Sequence, residues 1–199
     1  MTFRRKDVHY RRARAAGYRA RSAYKLAELD ARFHLLRSGD RVVDLGAWPG
    51  GWLQVALERV GTRGFVVGID QVRIDPLPAP NVRVVTGDVR TPTTDDQLSA
   101  ELGGPADVVL SDLSPKLTGV RETDEARWEE LVDATLALLP SVLRPGGRLL
   151  MKIFMGSAYE KVLSRLKQAF GEVRVTRPEA TRHGSSELYV VGLGHRVIP

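Results

Sequence analysis

Chemistry in this chain has to come from Asp, Glu, Lys, Ser or a bound cofactor. Its 199 residues include no Cys, which excludes a disulfide framework, a thiol nucleophile and a thiolate metal site. Its four His (His9, His34, His183, His195) are too scattered to form a ligand cluster. Against that background Lys152 stands out. It lies inside Leu149-Leu150-Met151-Lys152-Ile153-Phe154, a run that reads as a central buried strand, where an ammonium without partners is costly. Asp112, which ends the apolar run Val108-Val109-Leu110-Ser111, is the natural counter-charge. A neighbouring cation favours the neutral amine and a neighbouring carboxylate favours the ammonium, so the balance decides whether Lys152 can act as a base. The plain alternative is a lysine placed on an edge strand to discourage aggregation.

A second constellation sits at the end of the first strand, Asp44-Leu45-Gly46-Ala47-Trp48-Pro49-Gly50-Gly51-Trp52, which opens directly into a helix. Glycines at such a turn let the backbone approach a nucleotide without Cβ clashes. A dinucleotide fingerprint would place its second glycine where Trp48 stands, and a bulky ring followed by Pro49 would keep the backbone from a pyrophosphate. The ligand is then a nucleoside without phosphates, and S-adenosylmethionine (SAM) is the common candidate. The next two strands end in Asp70 and in Gly87-Asp88-Val89. Asp70 follows Gly46 by 24 residues, near the spacing at which an acid accepts from ribose hydroxyls; Asp88 is placed to accept from an adenine amino group. One such Asp would be an ordinary turn or cap residue, but three successive strands ending in Asp44, Asp70 and Asp88 form one rim.

The elements that must position these groups alternate. Apolar residues Leu26, Leu29, Phe33 and Leu36 recur at helical spacing over residues 22–36. Strands are expected over 41–45, 64–69, 82–85, 106–110, 148–154, 173–176 and 188–193, with helices over 51–60, 95–102, 124–143 and 158–170. Alternating β and α segments, with most strands too apolar to have a wet face, predict an α/β fold: a doubly wound, mostly parallel, seven-stranded Rossmann-like sheet. The last two strands have no helix between them to make a crossover and therefore form an antiparallel hairpin at one edge. Ligands bind such sheets at the carboxyl ends of the strands, where the glycine turn and the aspartates lie.

The charge is uneven. Residues 1–21 hold eight basic residues (Arg4, Arg5, Lys6, Arg11, Arg12, Arg14, Arg19, Arg21) and one acid, a net +7 in a chain whose total is +6. This basic leader, interleaved with Tyr10 and Tyr18, suits a phosphate backbone with bases available for stacking, and residues 22–199 form the catalytic domain. A solvated, solubilising tail is the simpler alternative. No run approaches the roughly 20 apolar residues of a membrane span, and the start of the chain lacks the apolar core of a signal peptide, so a cytoplasmic, monomeric protein with no membrane partner is expected.

The sequence resembles the FtsJ/RrmJ-type RNA ribose 2′-O-methyltransferases over nearly its whole length. The resemblance is carried by Gly17-Tyr18-Arg19-Ala20-Arg21-Ser22-Ala23-Tyr24-Lys25-Leu26, by the glycine turn 44–52, by Ser111-Asp112-Leu113-Ser114-Pro115, by Met151-Lys152-Ile153-Phe154 and by Ser185-Ser186-Glu187-Leu188-Tyr189. It implies a catalytic tetrad of Lys25, Asp112, Lys152 and Glu187, with Lys152 as general base. It also implies SAM contacts from Gly50, Trp52, Asp70, Asp88 and Asp112, which with Asp44, Gly46, Pro49, Gly51 and Val89 complete the cofactor rim. Trp48 departs from the family, where a small residue is common. A compact member with a basic leader most resembles those that methylate a uridine of large-subunit ribosomal RNA, with the ribosomal particle supplying part of the recognition; transfer RNA is the alternative substrate. A ribose hydroxyl is a poor nucleophile until deprotonated, whereas the sulfonium methyl is already activated, so the enzyme must align and deprotonate, and no metal is needed. A nicotinamide-dependent oxidoreductase is disfavoured by Trp48-Pro49, and a non-catalytic RNA-binding protein by the intact tetrad.

Overall fold

The computed structural model describes residues 15–181 and 185–196. Their elements are α1 (Ala23–Phe33), β1 (Arg41–Leu45), α2 (Gly51–Val60), β2 (Phe65–Asp70), β3 (Val82–Thr86), α3 (Thr94–Leu102), β4 (Ala106–Ser111), α4 (Arg121–Val142), β5 (Leu143–Phe154), α5 (Tyr159–Ala169), β6 (Phe170–Thr176) and β7 (Glu187–His195). The strands form one sheet in the order β3-β2-β1-β4-β5-β7-β6. β1 to β5 pair in parallel, and β7 runs antiparallel to both β5 and β6. The expected hairpin forms at one edge, with β7 entering between β5 and the outermost strand β6. Of the expected RNA contacts, Arg4, Arg5, Lys6, Arg11, Arg12 and Arg14 lie outside the described residues.

Strand alternation decides which side chains meet which helices. Val43, Leu45, Val67, Ile69, Met151 and Ile153 pack with Leu98, Leu139 and Leu166 of α3, α4 and α5. Val42, Val66, Leu110, Leu150 and Tyr189 pack with Leu26, Leu29, Leu53 and Val55 of α1 and α2. Asp44, two residues after Val42, and Lys152, two after Leu150, therefore both fall on the α1–α2 side. The same periodicity that buries the core thus places the polar residues of several strands on one face.

Among the boundaries that differ from the expectation, three have a clear local reason. α1 stops at Phe33 because His34 adopts a left-handed conformation (φ 51°). Leu35 and Leu36 then turn into the core, held by the Asp30 carboxylate, which accepts from the Leu36 N–H at 2.8 Å. Their apolar character mimics a fourth helical turn. β5 begins at Leu143 and runs through Pro145-Gly146-Gly147, residues that normally break a strand; its register against β4 shifts between Ala106 and Val108 to accommodate them. β6 starts at Phe170, directly after α5, because the Phe170 ring packs into the core at 1% exposure.

Candidate active site

The antiparallel entry of β7 builds the centre of the site. Its register sets Tyr189 opposite Lys152 and Glu187 opposite Phe154. Residues two apart on a strand share a face, so Glu187 and Tyr189 lie beside Lys152 on the side where α1 packs. α1 brings Lys25, and the C-terminal end of β4 brings Asp112, whose N–H donates to the Leu45 carbonyl of β1 at 3.1 Å.

These groups form two ion pairs. Lys152 Nζ is 3.0 Å from Asp112 Oδ1 and donates to the Asp112 main-chain carbonyl at 2.8 Å. Lys25 pairs with Glu187. Tyr189 joins the two: its hydroxyl donates to Asp112 Oδ1 at 2.9 Å, and its ring centroid is 5.6 Å from Lys25 Nζ. Lys25 and Lys152 are 7% and 8% exposed, so each buried ammonium has the carboxylate partner that burial demands. Burial first, and then the charges of Asp112 and Glu187, hold the Tyr189 phenol well above its usual range; it stays protonated and donates. All four expected tetrad residues are brought together. Tyr189 completes the set and was not singled out in the sequence, although its two-residue spacing from Glu187 was the available signal.

The expected cofactor rim borders a cavity of about 630 Å³, lined by Gly46, Asp70, Asp88, Val89 and Asp112 among others, within the range of small-molecule sites. Gly46 is in the positive-φ region (φ 80°), and a Cβ there would come 3.0 Å from the Leu113 side chain. The turn therefore lies against the loop after β4. Asp70 uses its carboxylate to hold the glycine turn, accepting from the Trp48 N–H at 3.0 Å and from the Val72 N–H at 2.8 Å; two of its roughly four acceptor directions are then left for ribose hydroxyls. Asp88 is shared differently. Arg90 grips both of its oxygens, with the closest contact 2.6 Å, Gln71 donates at 2.9 Å, and the Arg90 bond is the main reason its carboxyl lies below the usual range. An adenine amino group would share Asp88 with Arg90, a residue the sequence did not single out.

Asp44 is the outlier. It is fully buried, neither carboxylate oxygen has a hydrogen-bond partner among the described residues, and burial, followed by the charges of Asp112 and Asp70, raises its carboxyl well above the usual range. The carboxylates of Asp70 and Asp112 on the cavity wall, with Asp44 buried close enough to feel both, suit a cationic ligand. SAM carries both a sulfonium and an ammonium, and the orphaned Asp44 fits it. Gly51 and Trp52 open α2, where main-chain N–H groups have no intrahelical partner and favour an anion such as the methionine carboxylate. The Trp52 side chain is directed elsewhere: its indole is 3% exposed and donates to the Ser22 carbonyl at 2.8 Å. Arg19 likewise serves the protein. Its guanidinium donates to the carbonyls of Pro49 at 3.3 Å, Asp75 at 2.5 Å and Pro76 at 2.7 Å, and a Cβ on Gly50 would come 3.0 Å from it. Arg21 precedes α1 at the turn 21–22 and is half-buried.

The sequence model of the FtsJ-like methyltransferase family matches residues 18–195. The chain belongs to this family. A relative from Methanobrevibacter smithii, ribosomal RNA large subunit methyltransferase E, is 44% identical over 94% of this chain and 89% of its own. The crystal structure of a Plasmodium falciparum ribosomal RNA methyltransferase superposes with a TM-score of 0.79 at 30% identity, covering 89% of this chain and 98% of that one. Aeropyrum pernix fibrillarin, crystallised with natively bound SAM, shares the fold, with a TM-score of 0.61 at 18% identity over 86% of this chain and 76% of its own. This FtsJ-like chain is thus a SAM-dependent methyltransferase. Among the described residues no helix is long and apolar enough to cross a membrane, and no group of three or more potential metal-ligating residues occurs.

Proposed function

We propose that the protein transfers the methyl group of SAM to a ribose 2′-hydroxyl of large-subunit ribosomal RNA, acting as a cytoplasmic monomer. The observation that carries this reading is the Lys152–Asp112 pair, held by β4, β5 and β7 at the edge of the cavity. Bound SAM supplies an electrophilic methyl group. The chain supplies the rest. Two of the three Nζ positions of Lys152 face Asp112, leaving one for the incoming hydroxyl. With that position unprotonated, Lys152 would take the hydroxyl proton as the ribose oxygen bonds to the methyl carbon and the sulfonium carbon–sulfur bond breaks, leaving S-adenosylhomocysteine. Asp112 then balances the ammonium that forms. Lys25, fixed by Glu187 and set over the Tyr189 ring, orients the ribose, while the Tyr189 hydroxyl holds the Asp112 carboxylate. Holding two reactants in a near-attack arrangement is worth ~7 to 11 kcal/mol, so positioning supplies much of the acceleration.

The relatives named for large-subunit ribosomal RNA support the substrate. The basic leader, residues 1–21, is proposed to add phosphate affinity that does not depend on sequence. The direct test incubates the protein and labelled SAM with ribosomal RNA from cells lacking it, then locates any 2′-O-methylated nucleotide after digestion. Label in one ribose of the large-subunit RNA supports the reading; label on a base, or in transfer RNA alone, overturns it.

A further inference from the structure

The apolar side chains that the fold fails to bury are not scattered. Among the described residues the exposed large hydrophobics are Trp48, Val72, Leu117, Val120, Met155 and Val175. Val175 belongs to the edge strand β6. The other five follow the C-terminal ends of β1, β2, β4 and β5, which are parallel and therefore open onto one rim. Lone exposed hydrophobics need no explanation, but a group confined to one functional edge does. Trp48 is its aromatic member, 55% exposed and lining the cofactor cavity. Its main chain is anchored on the Asp70 carboxylate, so the indole stands on a fixed base rather than on a free loop. Cations line the same cavity: Arg90, Lys116 and Arg127.

We infer that this apolar collar, with Trp48 as its platform, stacks an unpaired nucleobase of the RNA next to the methylated nucleotide. The inference rests on the proposed RNA substrate and adds how that RNA is held. A ribose seated at Lys152 brings its own base and its neighbours to the collar. Bases inside a duplex offer no free face, whereas splayed bases stack on aromatic side chains, with Arg and Lys nearby for the phosphates. The three features on the rim, an exposed indole, aliphatic neighbours and cations, match a single strand. A nucleoside cofactor alone would need only the inner wall.

The chain reports on the contact directly. Its three tryptophans are Trp48, Trp52 and Trp128, and the latter two are 3% and 4% exposed, so acrylamide quenching of fluorescence reads Trp48. With the protein saturated by S-adenosylhomocysteine, a single-stranded oligoadenylate should shield Trp48 and a duplex of equal length should not. Trp48→Ala should weaken single-strand binding about tenfold, the scale of one lost base–aromatic stack, measured with the cofactor site saturated by S-adenosylhomocysteine; Trp48→Phe should retain most of the affinity. Unchanged RNA affinity in Trp48→Ala, or full shielding by S-adenosylhomocysteine alone, overturns the inference. Shielding by a large ribosomal subunit but not by its naked RNA also overturns it, assigning the collar to a protein partner. The two readings fail separately: absence of ribose methylation defeats the proposed function without touching the quenching result, and normal methylation by Trp48→Ala with unchanged RNA affinity defeats only the collar.

Discussion

The two halves of the site are built on opposite principles. At the β5–β7 end every charge is answered: Lys152 by Asp112, Lys25 by Glu187, and Tyr189 between them. At the β1–β2 end Asp44 and Asp70 have no such ion pair among the described residues. Asp44 has no partner among the described residues, and it feels the charges of Asp70 and Asp112. The difference teaches a division of labour. In the proposed reading the reacting end is assembled in the chain itself and needs only substrate, whereas the cofactor end would be completed by the positive ligand it accepts. Asp112 alone belongs to both.

Substitutions should break this comparison in a graded way. Asp112→Ala should do most damage, because it removes the counter-charge of Lys152 and the acceptor of Tyr189 while also altering the cavity wall. Methyl transfer should fall by more than ~10²-fold, with a measurable loss of SAM affinity by calorimetry. Asp70→Ala should weaken SAM by ~1 to 3 kcal/mol, the scale for polar groups left without a partner, and leave the rate at saturating SAM nearly intact; unchanged affinity would remove Asp70 from the cofactor end. Glu187→Ala should be milder in methyl transfer than Asp112→Ala, since Glu187 acts through Lys25 and Tyr189. Equal losses in the two carboxylate variants would erase the distinction between a shared group and a positioning one.

The smallest effect concerns stability. Because burial holds the Asp44 carboxyl well above its usual range, the folded chain keeps a proton there that the unfolded chain releases once the pH exceeds the ordinary carboxyl value. Folding then takes up a proton, and stability falls as the pH rises from that value towards the raised one. Asp44→Asn, which cannot ionise, should unfold at nearly the wild-type temperature at low pH and at a higher one near neutrality when no cofactor is bound. Saturating SAM should narrow the gap by stabilising the wild type. A constant difference across pH would show that Asp44 titrates alike in the folded and the unfolded chain, contradicting the raised carboxyl.

Much of this arrangement was legible in the sequence, for physical reasons that differ by residue. Lys152 was conspicuous because an ammonium in an apolar strand must find a partner, and the aspartates because three parallel strands ended alike. Lys25 and Glu187 are ordinary surface types at their positions, and only the resemblance to the family joined them to the set; the register of β7 against β5 supplies the contact that neither local sequence encodes. Tyr189 escaped for the same reason, since a tyrosine in an apolar strand reads as core. Arg19 shows the limit of charge counting. It was grouped with a polycationic leader, but its guanidinium meets three main-chain carbonyls around the glycine turn, a use that composition cannot distinguish from phosphate binding. The end of α1 was misread because Leu36 continued a helical spacing after the backbone had already turned at His34.

The separation of the two ends is tested most directly by Lys152→Ala, measured in parallel by SAM calorimetry and by single-turnover methylation of the RNA at saturating SAM. The variant should bind SAM with wild-type affinity, because Lys152 engages only when the hydroxyl arrives, and its rate should fall by the ~10² to 10⁴-fold associated with a positioned base. Near-normal turnover by Lys152→Ala would contradict the account, leaving an enzyme that works by alignment alone.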